Sequence, residues 1–503
     1  MKSKAFYALA VAGLMSTSLV VLAEPATMKM TTEVPAGIAT PDRLETRLGA
    51  LKFFDGVPDE ATAQKVYDNL DFQRAVQAYL SSIQIASMHG MRKGILGFGP
   101  ANKTVLLFEQ LMDSKALWLT PNTVSIYMAM WLEMKDEPMV IETPPDVLGL
   151  IDDHWFHYVA DFGNAGPDKG KGGKFLILPP GYEGEVPRGY HVARTNTYGN
   201  WVIWRGFQVD GSTAPAIEAT KKIFRVYPLS QAGNPPKINF INVSGVFHNT
   251  IHRMDYGIFE EINEVVQAEP AAGQDPELLG LLASIGIKKG QPFRPDARMK
   301  KILTEAADIG AATVRTLAAR PRDDSFYYYP GESIWATPFP GGSHEFLDDG
   351  AVVLDARAFF HFYATGITPA MTSKMVGKGS QYAVAYTDAR KKPLDGSRTY
   401  RVHLPPNVPA KDFWSFTLYS NQTRAMLQTD QQFPGVSSVD EALRQNADGS
   451  YDVYFGPEAP AGKEGNWIQT IPGKGWNMLF RLYGPLEPWF AKTWRPGDPE
   501  LVE

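Results

Sequence analysis

Cysteine is absent from all 503 residues. That excludes disulfides, thiolate metal sites and lipid-modified cysteine, and a chain of this length can bury an ample core without such staples. Long hydrophobic runs are also missing. Beyond the first 23 residues no stretch approaches about 18 uninterrupted apolar residues, so no membrane span is expected in the remainder. The net charge of −6 is small and dispersed. It argues against nucleic acid or an anionic membrane surface as partners. No short-period repeat and no low-complexity tract occurs.

The opening stretch, MKSKAFYALAVAGLMSTSLVVLAEPA, has two early lysines, an apolar segment from Ala5 to Ala23 thinned by Gly13, Ser16, Thr17 and Ser18, and small residues at Val21 and Ala23. This is the pattern of a secretory signal peptide cut after Ala23. A periplasmic or secreted protein is therefore expected. At roughly 100–200 residues per domain, two or three domains follow. The chain holds 27 Phe, 21 Tyr and 11 Trp beside 45 Gly and 38 Pro, a mixture suited to many short strands joined by turns.

Residues 24–60 show no sustained period and read as a leading arm. Phe72, Val76, Tyr79, Leu80 and Ile83 then recur at helical spacing, and Gly97, Gly99 and Pro100 close that helix. Strand-like segments follow to about residue 245. "DPELLGLLASIGI" and "ARMKKILTEAADIGAATVRTLAAR" predict two helices. Asp275 and Pro276 cap the first, and Ile302, Ala306, Ile309, Thr313 and Leu317 mark the buried face of the second. From about residue 345 strands return. In "WSFTLYS", Trp414, Phe416 and Leu418 alternate with Ser415, Thr417 and Tyr419, as in a half-buried strand, and Asp395-Gly396 and Asp448-Gly449 supply turns.

The stretches "LTPNTVSIYMAMWLEM" and "GKFLILPPGYEGEVP" resemble a bacterial domain of unknown function numbered twelve-fifty-four. "KPLDGSRTYRVHLPP", "FWSFTLYS", "NADGSYDVYFGPEAPAGKEGNWIQTIPGKGW" and "LFRLYGPLEPWFAKTWRPGD" resemble its usual partner, numbered twelve-fourteen. The resemblance runs from about residue 65 to the end. It implies a mainly β chain with a helical insert, folded as two jelly-roll β-sandwiches similar to double jelly-roll capsid subunits. The organisation it suggests is a signal peptide (1–23), an arm (24–60), an N-terminal helix with the first jelly roll (61–250), a helical insert (251–325) and the second jelly roll (326–503). It also implies a homo-oligomer, with a trimer as the favoured form. Relatives usually read Asn-x-Asp-Thr after Thr-Pro, whereas here Thr123, Val124 and Ser125 follow Asn122, so an acidic group at that place is missing.

"GPDKGKGGKFLILPPGY" is not a phosphate-binding loop. Its glycine spacing is one residue short, no hydroxyl follows the lysine, and the chain enters a strand rather than a helix. "IDDHWFHYVADFGN" is the densest chemical cluster, with Asp152, Asp153, His154, His157 and Asp161. Read as a strand, it puts Asp153 and His157 on one face, too far apart to share an ion unless a bulge or bend intervenes. They are the candidate catalytic pair, with Asn122 and Tyr127 as candidate ligand-binding residues. The alternative is that the aspartates cap turns.

His248 and His252 would suit zinc if helical, but the glutamate of a protease motif is absent. Asp348-Asp349-Gly350 and Asp430 carry only a weak calcium pattern. No metal and no cofactor is assigned. "GGSHE" (341–345) lacks the context of a nucleophile elbow. Glu260-Glu261 and Asp388 with Asp395 are carboxyl pairs of the kind glycoside hydrolysis needs, without a pattern that marks them out. Trp467 and Tyr483 are expected to pack, and Arg481 to require a buried carboxylate. The leading expectation is a binding protein for a carbohydrate or another small polar ligand. The alternatives are a carboxylate-based hydrolase of glycoside type and a non-catalytic, capsid-like assembly subunit.

Overall fold

A computed structural model describes residues 28–35 and 37–502. The expected signal peptide lies outside them. The described residues form two compact units that divide between Tyr67 and Asp68. In the first, the arm is not featureless: Arg43–Thr46, Gly49–Phe54 and Val57–Pro58 form an antiparallel meander. Asp55 and Gly56, both at positive φ (47° and 83°), make its second turn, a two-residue signal that composition alone hides. The helix Glu60–Leu96 starts there, with Asp59 Oδ1 accepting from the Thr62 amide at 2.7 Å.

From Ser81 to Met91 that helix is buried on every side, as a central core helix must be. Gly90 and Gly94 let residues 249–252 approach it closely. A Cβ on Gly90 would lie 2.7 Å from the Thr250 carbonyl oxygen, and one on Gly94 2.6 Å from that of Asn249.

The second unit is sheet-rich. A six-stranded sheet runs in the order Asn239–Asn242, Thr104–Leu107, Ile126–Glu133, Gly199–Gly206, Leu148–Asp153, Tyr158–Gly163. A four-stranded sheet holds His191–Arg194, Gly173–Leu178, Met139–Thr143 and Arg225–Pro228. Alternation along the strands splits the residues of the six-stranded sheet between two cores. Met128, Met130, Val202, Trp204 and Phe162 join Ile141, Phe175 and Ile177 of the four-stranded sheet in one cluster. Ala129, Trp131, Trp201 and Ile203 face the opposite way, into a second cluster with the helices.

The C-terminal half repeats the scheme. Ser380–Ala385, Trp476–Pro485, Ala410–Ser420 and Gly435–Ser437 form one sheet, and Trp467–Gln469, Tyr451–Gly456, Tyr400–Leu404 and Glu500–Leu501 another. Trp414, Phe416, Leu418, Phe480 and Leu482 pack with Val402, Val453 and Phe455 between them. The strand around Trp414 is buried on both faces, not one: Ser415, Thr417 and Tyr419 are also covered. They turn toward the N-terminal half, where Tyr419 Oη donates to the Pro121 carbonyl.

Asp275 caps the helix Pro276–Ser284, its side chain accepting from Glu277 N, as the sequence predicts. In the helix Ala297–Ala319 the buried stripe is Leu303, Ala307, Gly310, Val314 and Leu317, with Ala306 beside it. Ile309 and Thr313 point outward, because Gly310 seats the ring of Tyr79 and so sets the rotation. Leu354–Tyr363 is a helix where strands were expected. Its aromatic run is buried all round, which erases the helical period. Among the described residues no helix is long and apolar enough to cross a membrane.

Candidate functional site

The acidic cluster is a hairpin rather than a single strand. Leu148–Asp153 and Tyr158–Gly163 pair antiparallel, with a register shift between Ile151 and Asp152. The turn puts Phe156 at φ 65° and closes with Asp153 N donating to His157 O at 2.9 Å. Asp153 Oδ1 accepts from the amides of Trp155 (2.9 Å) and His157 (2.8 Å), while Oδ2 lies 3.5 Å from His157 Nδ1. The hairpin turn, beside that register shift, thus brings the pair together, and the carboxylate serves as the turn's cap. Burial pushes the His157 pKa down, but Asp153 outweighs it and the net shift is upward.

Its neighbours are also engaged. Asp152 Oδ2 accepts from Ile367 N at 2.9 Å, and Asp161 Oδ2 accepts from Thr368 Oγ1 at 2.7 Å. Burial raises both carboxyl pKa values, that of Asp161 to about 6. His154 Nδ1 meets Glu269 at 2.7 Å, and Glu269 also accepts from the Tyr198 and Gly199 amides.

A cavity of about 880 Å³ opens nearby. Its walls come from both halves. Tyr127, Ile203, Arg205 and Leu150 share one face of the six-stranded sheet, where Arg205 sits between Tyr127 and Leu148 in register. Tyr382, Arg481, Tyr483 and Phe413 share the facing side of the C-terminal sheet, with Tyr382 opposite Arg481. Phe360 and Tyr363 of the buried helix and the loop from Ala364 to Gly379 complete it.

Of the sequence candidates, Asn122 and Tyr127 line this cavity; Asp153 and His157 do not. The Asn122 side-chain oxygen is already occupied by Val124 N, Ser125 N and Ser125 Oγ, so it shapes the loop. The Asn122 backbone N–H donates to Tyr127 Oη at 3.2 Å, which leaves the phenol proton available.

The site residues that the sequence did not single out for this role are Arg205 and Arg481. Arg205 is half-buried and has no hydrogen bond or ion pair among the described residues. Arg481, 3% exposed, donates to the Thr120 carbonyl at 2.7 Å and to Thr417 Oγ1 at 3.2 Å. The buried carboxylate expected for it is replaced by these neutral acceptors and by the faces of Tyr382 and Tyr419.

The remaining motifs are structural. His248 Nε2 accepts from Trp118 Nε1 at 2.7 Å in a two-residue strand, not a helix. Asp348 and Asp349 stand at a hairpin corner, and Asp430 pairs with Gln469. Among the described residues no three His, Cys, Asp or Glu side chains gather as a metal site. Glu261 accepts from Arg253 N, and Asp388 and Asp395 cap turns. In 341–345, Ser343 Oγ accepts from Glu345 N. The lysine-glycine stretch is a turn fastened by Asp168 onto Gly163 N, and its strand is Gly173–Leu178.

Fold and site together define a sheet-rich protein of two paired-sheet halves with a cavity where their inner sheets meet. Residues 102–228 match the family described as protein of unknown function DUF1254, and residues 379–487 match that described as protein of unknown function DUF1214. The two matches follow one another in that order along the chain, and each matched stretch contributes one wall of the cavity. The crystal structure of the VPA0106 protein from Vibrio parahaemolyticus is similar in fold, with a TM-score of 0.53 and 19% identity over 86% of this chain and 100% of that one. The crystal structure of an uncharacterized protein from Burkholderia cenocepacia gives a TM-score of 0.38 and 13% identity over 87% of this chain and 96% of its own. Among curated proteins there is no match.

Proposed function

We propose that this protein binds a small molecule with an apolar body and a polar end in the cavity between its two halves. The observation that carries this is the cavity itself. Its volume of about 880 Å³ lies in the range of ligand sites, and its lining is mainly apolar and aromatic with a few convergent polar groups. That balance narrows the expectation of a small polar ligand, because a free sugar would leave much of the wall unmatched. A glycoside-type hydrolase has less support. The carboxyls on the wall are Asp161, held by Thr368, and Asp412, which is exposed.

Two jelly-roll sandwiches remain our reading of the two sheet pairs, since each pair encloses its own apolar cluster. The parallel pairings of Asn239–Asn242 with Thr104–Leu107 and of Tyr451–Gly456 with Trp467–Gln469 are departures from a purely antiparallel plan. Export to the periplasm or medium, and assembly as a homo-oligomer, are part of the same proposal. They rest on the sequence of residues 1–23 and on the family resemblance.

The binding test is a titration with Nile red, a neutral solvatochromic dye. Saturable, one-to-one binding is expected, and it should vanish in Leu150→Trp and Ile203→Trp, which fill the cavity. Equal binding to parent and filled variants of unchanged melting temperature would refute the assignment.

A further inference from the structure

We infer that the ligand is an organic carboxylate, its anionic end received by Arg205 and Arg481 and its apolar body by the surrounding wall. This rests on the cavity reading above and adds the ligand's charge and class.

Two guanidinium-bearing residues reach the cavity from facing sheets, and neither has an acidic partner among the described residues. A cation withdrawn from water without a counter-charge costs several kcal/mol, so such groups are normally paired. Here the protein supplies Arg481 with neutral acceptors and Arg205 with none. Each arginine lies next to a tyrosine in strand register, Arg205 beside Tyr127 and Arg481 beside Tyr382. The Tyr483 hydroxyl, also on the wall, is buried without a partner. Guanidinium forks and phenol hydroxyls are all donors, and what completes them is an acceptor carrying negative charge.

The wall's charge agrees. Lys169, Arg205, Lys378 and Arg481 stand against Asp161 and Asp412, an excess of two positive charges (4 − 2). The two lysines and Asp412 are exposed, and Asp161 is taken by Thr368. The charges left facing the interior are those of the two arginines. A carboxylate with a hydrocarbon body, rather than a multiply charged phosphate, fits so few donors set in so much apolar surface.

The experiment is calorimetric titration of the full chain with decanoate and with decanol, which share a body and differ in the charged end. Decanoate should bind at least tenfold tighter than decanol. Arg205→Met should reduce decanoate to the affinity of decanol while leaving decanol unchanged, and Arg205→Lys should restore part of the difference. Arg205 makes no hydrogen bond, so these variants are expected to fold, which their melting temperatures check. Equal binding of the two probes to the parent protein would overturn the anion assignment and leave the cavity standing. Binding of neither would overturn both. Loss of decanol binding in Arg205→Met would show that the residue shapes the cavity instead of reading charge.

Discussion

Replacing Asp153 by alanine removes the acceptor for two backbone amides, those of Trp155 and His157, at the tip of the hairpin. Each orphaned amide costs about 1–3 kcal/mol, so the hairpin tip should lose roughly 3–4 kcal/mol against local opening. Asp153→Asn keeps the oxygen and gives up its charge. Hydrogen bonds to charged groups exceed neutral ones by about 1 kcal/mol, so this variant should lose only about 1–2 kcal/mol. Hydrogen exchange followed by mass spectrometry on peptides spanning 148–163 reads the effect directly. A loss of about 3 kcal/mol accelerates exchange through local opening by roughly a hundredfold. Nile red binding should persist in both variants, because Asp153 is a turn cap and stands off the cavity wall. Unchanged exchange together with lost binding would place Asp153 in the site and refute the reasoning.

Asp161→Asn should stabilise the protein increasingly as pH rises from about 4 to about 6 and by a constant amount above that. The folded carboxyl titrates near 6 and an unfolded one near 3.9, so between those values the unfolded state binds fewer protons and parent stability falls. The plateau should be about 2–3 kcal/mol, measured as the difference between the two proteins' stabilities across pH. Thr368→Val should push the other way, destabilising the parent at neutral pH by removing the donor that favours the charged carboxylate. Intact-mass analysis of exported protein should show a chain beginning at Glu24; a soluble cytoplasmic chain that keeps residues 1–23 would reject export. Sedimentation at micromolar concentration should give a homo-oligomer, with three subunits favoured, and a lone monomer mass would count against assembly.

Local chemistry was legible in the sequence at several short motifs that dictate geometry, although the Asp55-Gly56 turn of the arm passed unread. The Asp275-Pro276 helix start and the lysine-glycine turn before Gly173–Leu178 could be read residue by residue. The hairpin at Asp153 was not, because its turn uses Phe156 in a left-handed conformation instead of glycine or asparagine. The helix Leu354–Tyr363 was hidden for a different reason: a segment buried on all sides carries no amphipathic period to read. Arg205 did leave a trace. In "NWVIWRGF" it is a charge on the same strand face as Trp201 and Ile203, and a charge in an apolar stripe marks an unusual environment. What lay out of reach was its meeting with Arg481, which depends on how two separate sheets face each other.

That meeting has a mechanical consequence. The inner sheets of the two halves are joined by direct contacts, such as Tyr419 on Pro121 and Arg481 on Thr120, and also border a void between them. A molecule occupying that void would act as mortar, adding adhesion across a seam that the chain leaves partly open. By mass action, a ligand present at a hundred times its dissociation constant stabilises the folded state by about 2.7 kcal/mol. Here that gain would fall mainly on the seam, so the empty protein should breathe along it and the loaded protein should behave as one block.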